Sequence, residues 1–400
     1  VTHVNLFRLD VAFIKELRKQ LSIRKNAVLD TFPDSAFFPN VGQLKILIET
    51  MIWASIQFEE GRLTPLRVSF SEPMPFDHLG LVFRESKELN VEELRRLGPA
   101  TLPPDGQIGV WPLGPGKKLR VWGLQTNNLH GTTFEIIDPA RLVIRFVGRF
   151  AIAVINGNQA GFISKDWNDR CADLFYGAYA SDLTPGGLAR GFFWSQITEE
   201  ILRRVRLLKH GGTLLLVTDK NRWRTRVDPL FYECEIHLDK VRPISRRLES
   251  QLENIDAKAE PGVQRVAAIR STIDLNHSEQ IAIGDAARAI AYLSAIDGAT
   301  VLDVGFRVLA FGAKIGPTKV KEPLLARVIS PFDRESTRLI ALEKEFRGTR
   351  HQSAARFVRD NPGSRAFVVS QDGGVTGIGW TSDNNNERTL TVYEGLELLL

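Results

Sequence analysis

The chain has 400 residues, 43% of them hydrophobic and 25% charged, with a net charge of +5 and a pI near 9.2. This is the composition of a globular protein with a sizeable core, divided into about two or three domains. It excludes a membrane-spanning helix, because no apolar run approaches the ~20 residues a bilayer requires, and the charge excess is too mild for the concentrated basic stripe of a nucleic-acid binder.

The N-terminus alternates apolar and charged residues, unlike a signal peptide, so a cytoplasmic location is expected. Residues 7–21 read as an amphipathic helix with Leu6, Val11, Ile14 and Leu17 on its stripe. Residues 40–62 read as a second helix, with Asn40 as N-cap and Gly61 as its stop. Strand-like segments follow at 65–72, 107–113, 118–125, 133–139 and 140–157, punctuated by Gly and Pro.

The Gly-rich stretch 177–191 gives the best internal boundary. It predicts an N-terminal mixed α/β domain over 1–190 and a second domain over 191–400. Beyond it comes a helix striped by Ile197, Ile201, Val205 and Leu208, then a Gly-Gly turn, then a buried strand at Leu214 to Val217. Arg203, Arg204 and Arg206, and later Arg242, Arg246 and Arg247, read as solvated helix faces. Charged helices are expected over 244–272 and an apolar-striped helix over 278–296. A strand, a turn near Gly305 and a second strand occupy 297–315, and a loop is expected over 316–336. A helix from Ser353 carries Ala354, Phe357 and Val358 on one stripe. A hairpin over 365–380 turns at Asp372–Gly373–Gly374, a strong signal between alternating hydrophobics. The polar segment 382–388 reads as a short loop. The fold class is therefore α/β (α+β): a β-rich mixed N-terminal part, then a mixed β-sheet flanked by helices.

Chemistry concentrates in the stretch "FRGTRHQSAARF", 346–357. Gly348 allows close backbone approach, Thr349 adds a hydroxyl, Arg350 a planar fork of donors and His351 a titratable ring. Donors gathered before a helix suit an anion such as phosphate. The same residues also fit an ordinary turn capped by Ser or Thr, with Arg350 in solvent. Cys171 and Cys234 have neither CxxC spacing nor a neighbouring His pair, so neither a zinc site nor a disulfide framework is expected. No P-loop and no GxSxG elbow occurs.

Three stretches in order, "HGGTLLLV", "IDGATVLD" with "VLAFGAKI", and "GTRHQSAARF" with "AFVVSQDGGVTGIGW", resemble the diadenylate cyclase domain over roughly residues 195–400. The first half, through "WASIQFEEGR" at 53–62, resembles the divergent bacterial DACNV branch of that superfamily, generally regarded as nucleotide sensors in signalling or antiphage defence operons.

The resemblance implies that Asp297 holds Mg²⁺ or Mn²⁺ beside an attacking 3′-hydroxyl, and that Gly298 and Ala299 leave room for a base. It implies that the backbone near Lys314 and Ile315 reads the base edge. Gly348, Thr349, Arg350 and His351 would bind the triphosphate, with Ser370 and Gln371 facing the same pocket. One position departs from the pattern: Gln352 stands where the family has Arg, which keeps hydrogen bonding but loses a charge. Two readings follow. One is a metal-dependent nucleotidyltransferase that joins nucleoside triphosphates into a cyclic or linear dinucleotide, acting as a homo-oligomer. The other is a weak or inactive sensor that regulates a partner protein.

Overall fold

The computed structural model describes residues 9–28, 38–59, 62–63, 66–73, 80–101, 106–126, 131–146, 150–176, 185–219, 222–228, 231–236, 243–244, 246–247, 277–316, 324–332, 339–342, 348–382 and 388–400. The chain packs into two compact units, residues 1–164 and residues 165–398. The expected border at 190/191 falls inside a long helix, and the Gly-rich residues 177–184 lie outside the described residues. Both units are mixed α/β, as the sequence predicts.

In the first unit an eight-stranded mixed sheet carries helices α1 (Val11–Val28) and α2 (Val41–Ser55). Its strands are β3 (Leu66–Phe70), β4 (Leu81–Glu88), β5 (Gly106–Leu113), β6 (Lys118–Thr126), β7 (Thr132–Asp138), β8 (Arg141–Phe146), β9 (Phe150–Asn156) and β10 (Gln159–Phe162), in the order β10-β9-β8-β7-β3-β5-β6-β4. A two-stranded ribbon, β1 (Phe58–Glu59) with β2 (Arg62–Leu63), stands apart, and α3 (Val91–Leu97) follows β4. Ile14, Leu17 and Leu21 of α1 are buried together with Leu44, Leu47, Ile48 and Met51 of α2 against Val68, Ile108, Phe134 and Ile144.

Asn40 caps α2 as predicted, in a reciprocal pair with Gln43: each side chain accepts from the other residue's backbone N–H, at 2.9 Å. The helix nevertheless ends at Ser55, short of Gly61. The Ser55 hydroxyl turns back to the Ile52 carbonyl at 2.7 Å and also accepts the Ala140 N–H at 3.0 Å, which ties the helix end to the β7–β8 turn. The apolar segment 140–157 is two antiparallel strands rather than one, joined across Phe146 and Phe150.

The second unit holds a nine-stranded mixed sheet built from β11 (Gly212–Val217), β12 (Tyr232–Ile236), β13 (Ala299–Asp303), β14 (Val308–Ala313), β15 (Leu325–Ile329), β16 (Leu339–Ala341), β17 (Arg365–Val369), β18 (Val375–Ser382) and β19 (Arg388–Tyr393). Its order is β12-β14-β13-β11-β17-β18-β19-β15-β16. Helices α4 (Lys165–Tyr176), α5 (Pro185–Leu207), α6 (His277–Ser294) and α7 (Thr349–Asp360) accompany it. β11 lies near the centre, parallel to β13 and antiparallel to β17, and all six of its residues are buried, which is why it reads as a continuous apolar run. Leu215, Val217, Val301, Ala354, Phe357, Val358 and Val368 share one core, with α7 lying on it.

Three expectations are corrected. The segment 316–336 is not all loop, because it contains β15, paired in parallel with β19. Arg203, Arg204 and Arg206 are not a solvated face. Arg203 and Arg204 each reach Glu200 at 2.7 Å, and Arg206 Nε donates to the Gly373 carbonyl at 2.7 Å. Helix α7 begins at Thr349 rather than Ser353. The helices expected over 244–272 lie mostly outside the described residues, as do Arg242 and residues 383–387.

Candidate functional site

Helix α7 is fixed by its apolar stripe. Ala354, Phe357 and Val358 are buried, and the Trp380 indole N–H donates to the Val358 carbonyl at 2.9 Å. Among the described residues its other end carries no side-chain cap. Gly348 stands at the N-cap in extended conformation. The N–H groups of a first turn have no intrahelical acceptor, and the helix dipole adds partial positive charge there. The sequence places Thr349, Arg350 and His351 at those positions, and the Gln352 N–H makes the first intrahelical bond, to the Gly348 carbonyl at 3.2 Å, so the donor-rich segment is the start of the helix itself. Gly348, Thr349 and Arg350 are exposed, and His351 is half-buried with Nε2 3.2 Å from the Thr376 hydroxyl on β18. Gln352 Oε1 lies 3.4 Å from an Arg356 guanidinium nitrogen.

The hairpin between β17 and β18 faces the same point. Ser370 N donates to the Gly374 carbonyl at 2.9 Å and Gly373 N to the Ser370 carbonyl at 3.0 Å, closing the loop, while Arg206 anchors it from α5. Gly211, just before β11, completes the contact. Its φ is +68°, and a Cβ placed there would lie 2.8 Å from Arg350 Nη1, 2.8 Å from the Val369 carbonyl oxygen and 3.3 Å from Gln371 N. Arg350 therefore rests its guanidinium over a glycine that sequence reasoning does not single out as a site residue. Asp372 and Thr376 are missed in the same way; each is an ordinary hairpin residue until the sheet brings it beside His351.

Burial pushes the His351 imidazole below its ordinary value, Asp372 raises it and Arg350 lowers it further. At neutral pH the ring is therefore an uncharged hydrogen-bonding group, not a cation. The linkage has a definite sign. Between the depressed folded value and the ordinary value of about 6.5, the unfolded chain binds more protons, so this stability is present above that window and is lost as pH falls through it. Comparing urea midpoints of the wild type and His351→Gln at pH 7.5 and pH 5.5 checks this. The wild type's advantage should shrink at the lower pH, and an equal gap at both would contradict the assignment.

Asp297 and Gly298 lie at the same end of the sheet. Ala299 pairs with Thr213, so the residues just before Ala299 sit beside Gly211 and Gly212, one strand away. Strand spacing makes that separation about 5 Å between backbones. Gly298 has φ +118°, and a Cβ there would fall 2.5 Å from the Gly312 carbonyl carbon. The two glycines let the start of β13 and the end of β14 meet closely. Asp297 is exposed, with Oδ2 3.8 Å from Lys314 Nζ. The backbone of Lys314 and Ile315 is already engaged: the Lys314 carbonyl accepts from Asp228 N at 2.8 Å, and Ile315 bridges Val227. Ile315 packs against the core and Ala299 is buried in it.

Among the described residues no group of three or more His, Cys, Asp or Glu gathers to hold a metal. Asp297 is an exposed carboxylate with an ammonium beside it. Such a residue can hold Mg²⁺ only as one ligand among waters and the phosphates of a bound nucleotide, and the Lys314 charge opposes even that.

The family described as probable sensor domain DACNV matches residues 33–126. The match lies wholly in the first unit and runs from before α2 to the end of β6, leaving β7 to β10 outside it. No curated protein matches the chain. No helix among the described residues is long and apolar enough to cross a membrane.

Proposed function

We propose that the second unit binds the phosphates of a nucleotide at the N-terminus of α7 and that the chain acts as a nucleotide or dinucleotide sensor for a partner protein. The observation that carries this reading is Arg350 held over Gly211, beside the uncapped helix start and the Ser370–Gln371 turn. Backbone donors, a helix dipole and a guanidinium directed to one point suit an anion. The DACNV match supports the sensing role, although it covers the other unit. Binding in the second unit would then be the input, and the matched unit part of the apparatus that passes it on.

A second reading, nucleotidyl transfer of the diadenylate cyclase type, draws on Asp297 at the same end of the sheet. Against it stand the Lys314 ammonium 3.8 Å from that carboxylate and the uncharged Gln352. With a metal bound, such a site would supply charge neutralisation at the reacting phosphate. The chain's own residues contribute phosphate donors and a carboxylate for a sugar hydroxyl.

The two readings separate in one experiment. The full chain is incubated with each NTP and dNTP plus Mn²⁺, while binding is followed by calorimetry and products by mass spectrometry. The sensor reading expects binding with no pyrophosphate released. Asp297→Asn should leave affinity within about threefold, because the amide oxygen still accepts from a sugar hydroxyl while one negative charge is removed from the neighbourhood of the phosphates. Catalytic pyrophosphate release that Asp297→Asn abolishes would establish the transferase reading instead.

A further inference from the structure

Tyr232 on β12 is an exposed aromatic side chain on the strand next to β14. Among the described residues β12 is an edge strand with β14 as its one neighbour, and Tyr232 stands opposite Phe311 in the register. The two rings stack with centroids 5.0 Å apart and planes 17° from parallel, yet Tyr232 remains 63% exposed. One face of the phenol ring is therefore supported by Phe311, and the other is turned to solvent.

The pair is joined to Asp297 through Gly312. A Cβ on Gly312, whose φ is +67°, would lie 3.4 Å from Tyr232 Cδ2, 3.6 Å from Ile296 Cγ2 and 3.7 Å from the Asp297 carbonyl oxygen. The Tyr232 ring, the exposed Ile296 side chain and the Asp297 backbone thus border one side-chain-free spot. The order along the sheet continues the line: Tyr232 on β12, Gly312 ending β14, Asp297 before β13, and Gly211 with Arg350 before β11. Three strand spacings separate the β12 and β11 backbones, about 14 Å. Ala310 faces the core under α7, so its neighbour Phe311 and Tyr232 lie on the other face, and a nucleotide joining the two ends passes round the end of the sheet at Gly298.

We infer that the Tyr232–Phe311 pair is the stacking platform for the nucleobase, a planar heteroaromatic ring, of a nucleotide whose phosphates lie at Arg350. The inference rests on the phosphate-binding reading above. It assigns the middle of the line to the ribose: the Asp297 carboxylate accepts from sugar hydroxyls and needs no metal to do so. A supported aromatic ring with one open face binds a base largely irrespective of its edge, since every base has a π-face. Selectivity among bases is accordingly weak at this platform.

The test measures affinities of the full chain for ATP, GTP, CTP and UTP, and for inorganic tripolyphosphate, which has the phosphates and no base. The wild type should bind each NTP more tightly than tripolyphosphate. Tyr232→Ala should weaken NTP binding about ten- to hundredfold, the usual worth of one base–aromatic stack, and leave tripolyphosphate unchanged. Tyr232→Phe should retain the NTP affinity, because the ring is kept. Equal wild-type affinity for tripolyphosphate and every NTP would overturn the platform and leave the phosphate site standing. So would a Tyr232→Ala loss of the same size for both ligand types. A wild type that binds none of them would bring down the platform and the phosphate reading together. Light scattering on the same samples closes the remaining route. If Tyr232→Ala changes the oligomeric state and not the NTP affinity, this edge is a contact between copies of the chain and the inference fails.

Discussion

Arg350→Ala lowers the affinity of the chain for a nucleoside triphosphate by about ten- to hundredfold. The estimate follows from one lost charge-assisted hydrogen bond, at about 1.5–3 kcal/mol, with 1.4 kcal/mol equivalent to a decade. The side chain is exposed and rests over Gly211 and beside the hairpin, so its removal leaves the core intact. Stability should therefore change little, and the unfolding midpoint in urea should stay within experimental scatter of the wild type. The loss should be equal for ATP and tripolyphosphate, because Arg350 faces phosphate and not base. Arg350→Lys should recover part of the affinity through charge alone, without the planar fork. Calorimetric titrations of the three proteins check this. Unchanged affinity in Arg350→Ala would remove the residue from the site.

Gly298→Ala should be the most destabilising single substitution at the site. Its φ of +118° is a region that residues with a Cβ rarely adopt, and the added carbon would lie 2.5 Å from the Gly312 carbonyl carbon and 2.8 Å from Ala313 N. Both obstructing atoms are backbone, so no side-chain rotation relieves the clash. Left-handed strain of about 1–2 kcal/mol combines with overpacking of about 1–3 kcal/mol, giving an expected loss of about 2–5 kcal/mol in urea unfolding. β13 and β14 must part for the new methyl to fit, so triphosphate affinity should fall as well. A variant as stable as the wild type would mean that the strands do not approach in this way.

Much of the second unit is legible in the sequence because local signals and burial agree there. The hairpin at 365–382 is announced by Asp372–Gly373 between apolar runs, and β11 by six apolar or small residues fully buried between two neighbours. The stripe of α7 is legible too, but its start is not. Four polar or small residues, Gly348 to Arg350 and then His351, carry no apolar period, so the pattern begins only at Ser353 although the helix begins at Thr349. Edge elements are hidden for the same reason. β4 leaves most of its side chains exposed, so "LVFRESKE" shows no clear alternation, and β15 sits in a charged segment that reads as loop. The roles of Gly211, Asp372, Thr376 and Tyr232 depend on neighbours distant in the chain: Arg350 is 139 positions from Gly211. No spacing rule finds such contacts. The arginines of α5 mislead in the opposite direction, since composition describes a solvated face and the fold gives them carboxylate and carbonyl partners.

Hydrogen exchange read by mass spectrometry, on the full chain with and without a saturating nucleoside triphosphate, maps where the ligand binds. The account predicts slower exchange in three separated segments of the second unit: Lys209 to Thr213, Gly348 to Gln352 and Ser370 to Gly374. These are the segments that meet at Arg350, and at a ligand concentration just above the wild-type dissociation constant Arg350→Ala should remove most of the protection in all three. Protection confined to residues 33–126, with those three segments unchanged, would place the ligand in the other unit and contradict the account.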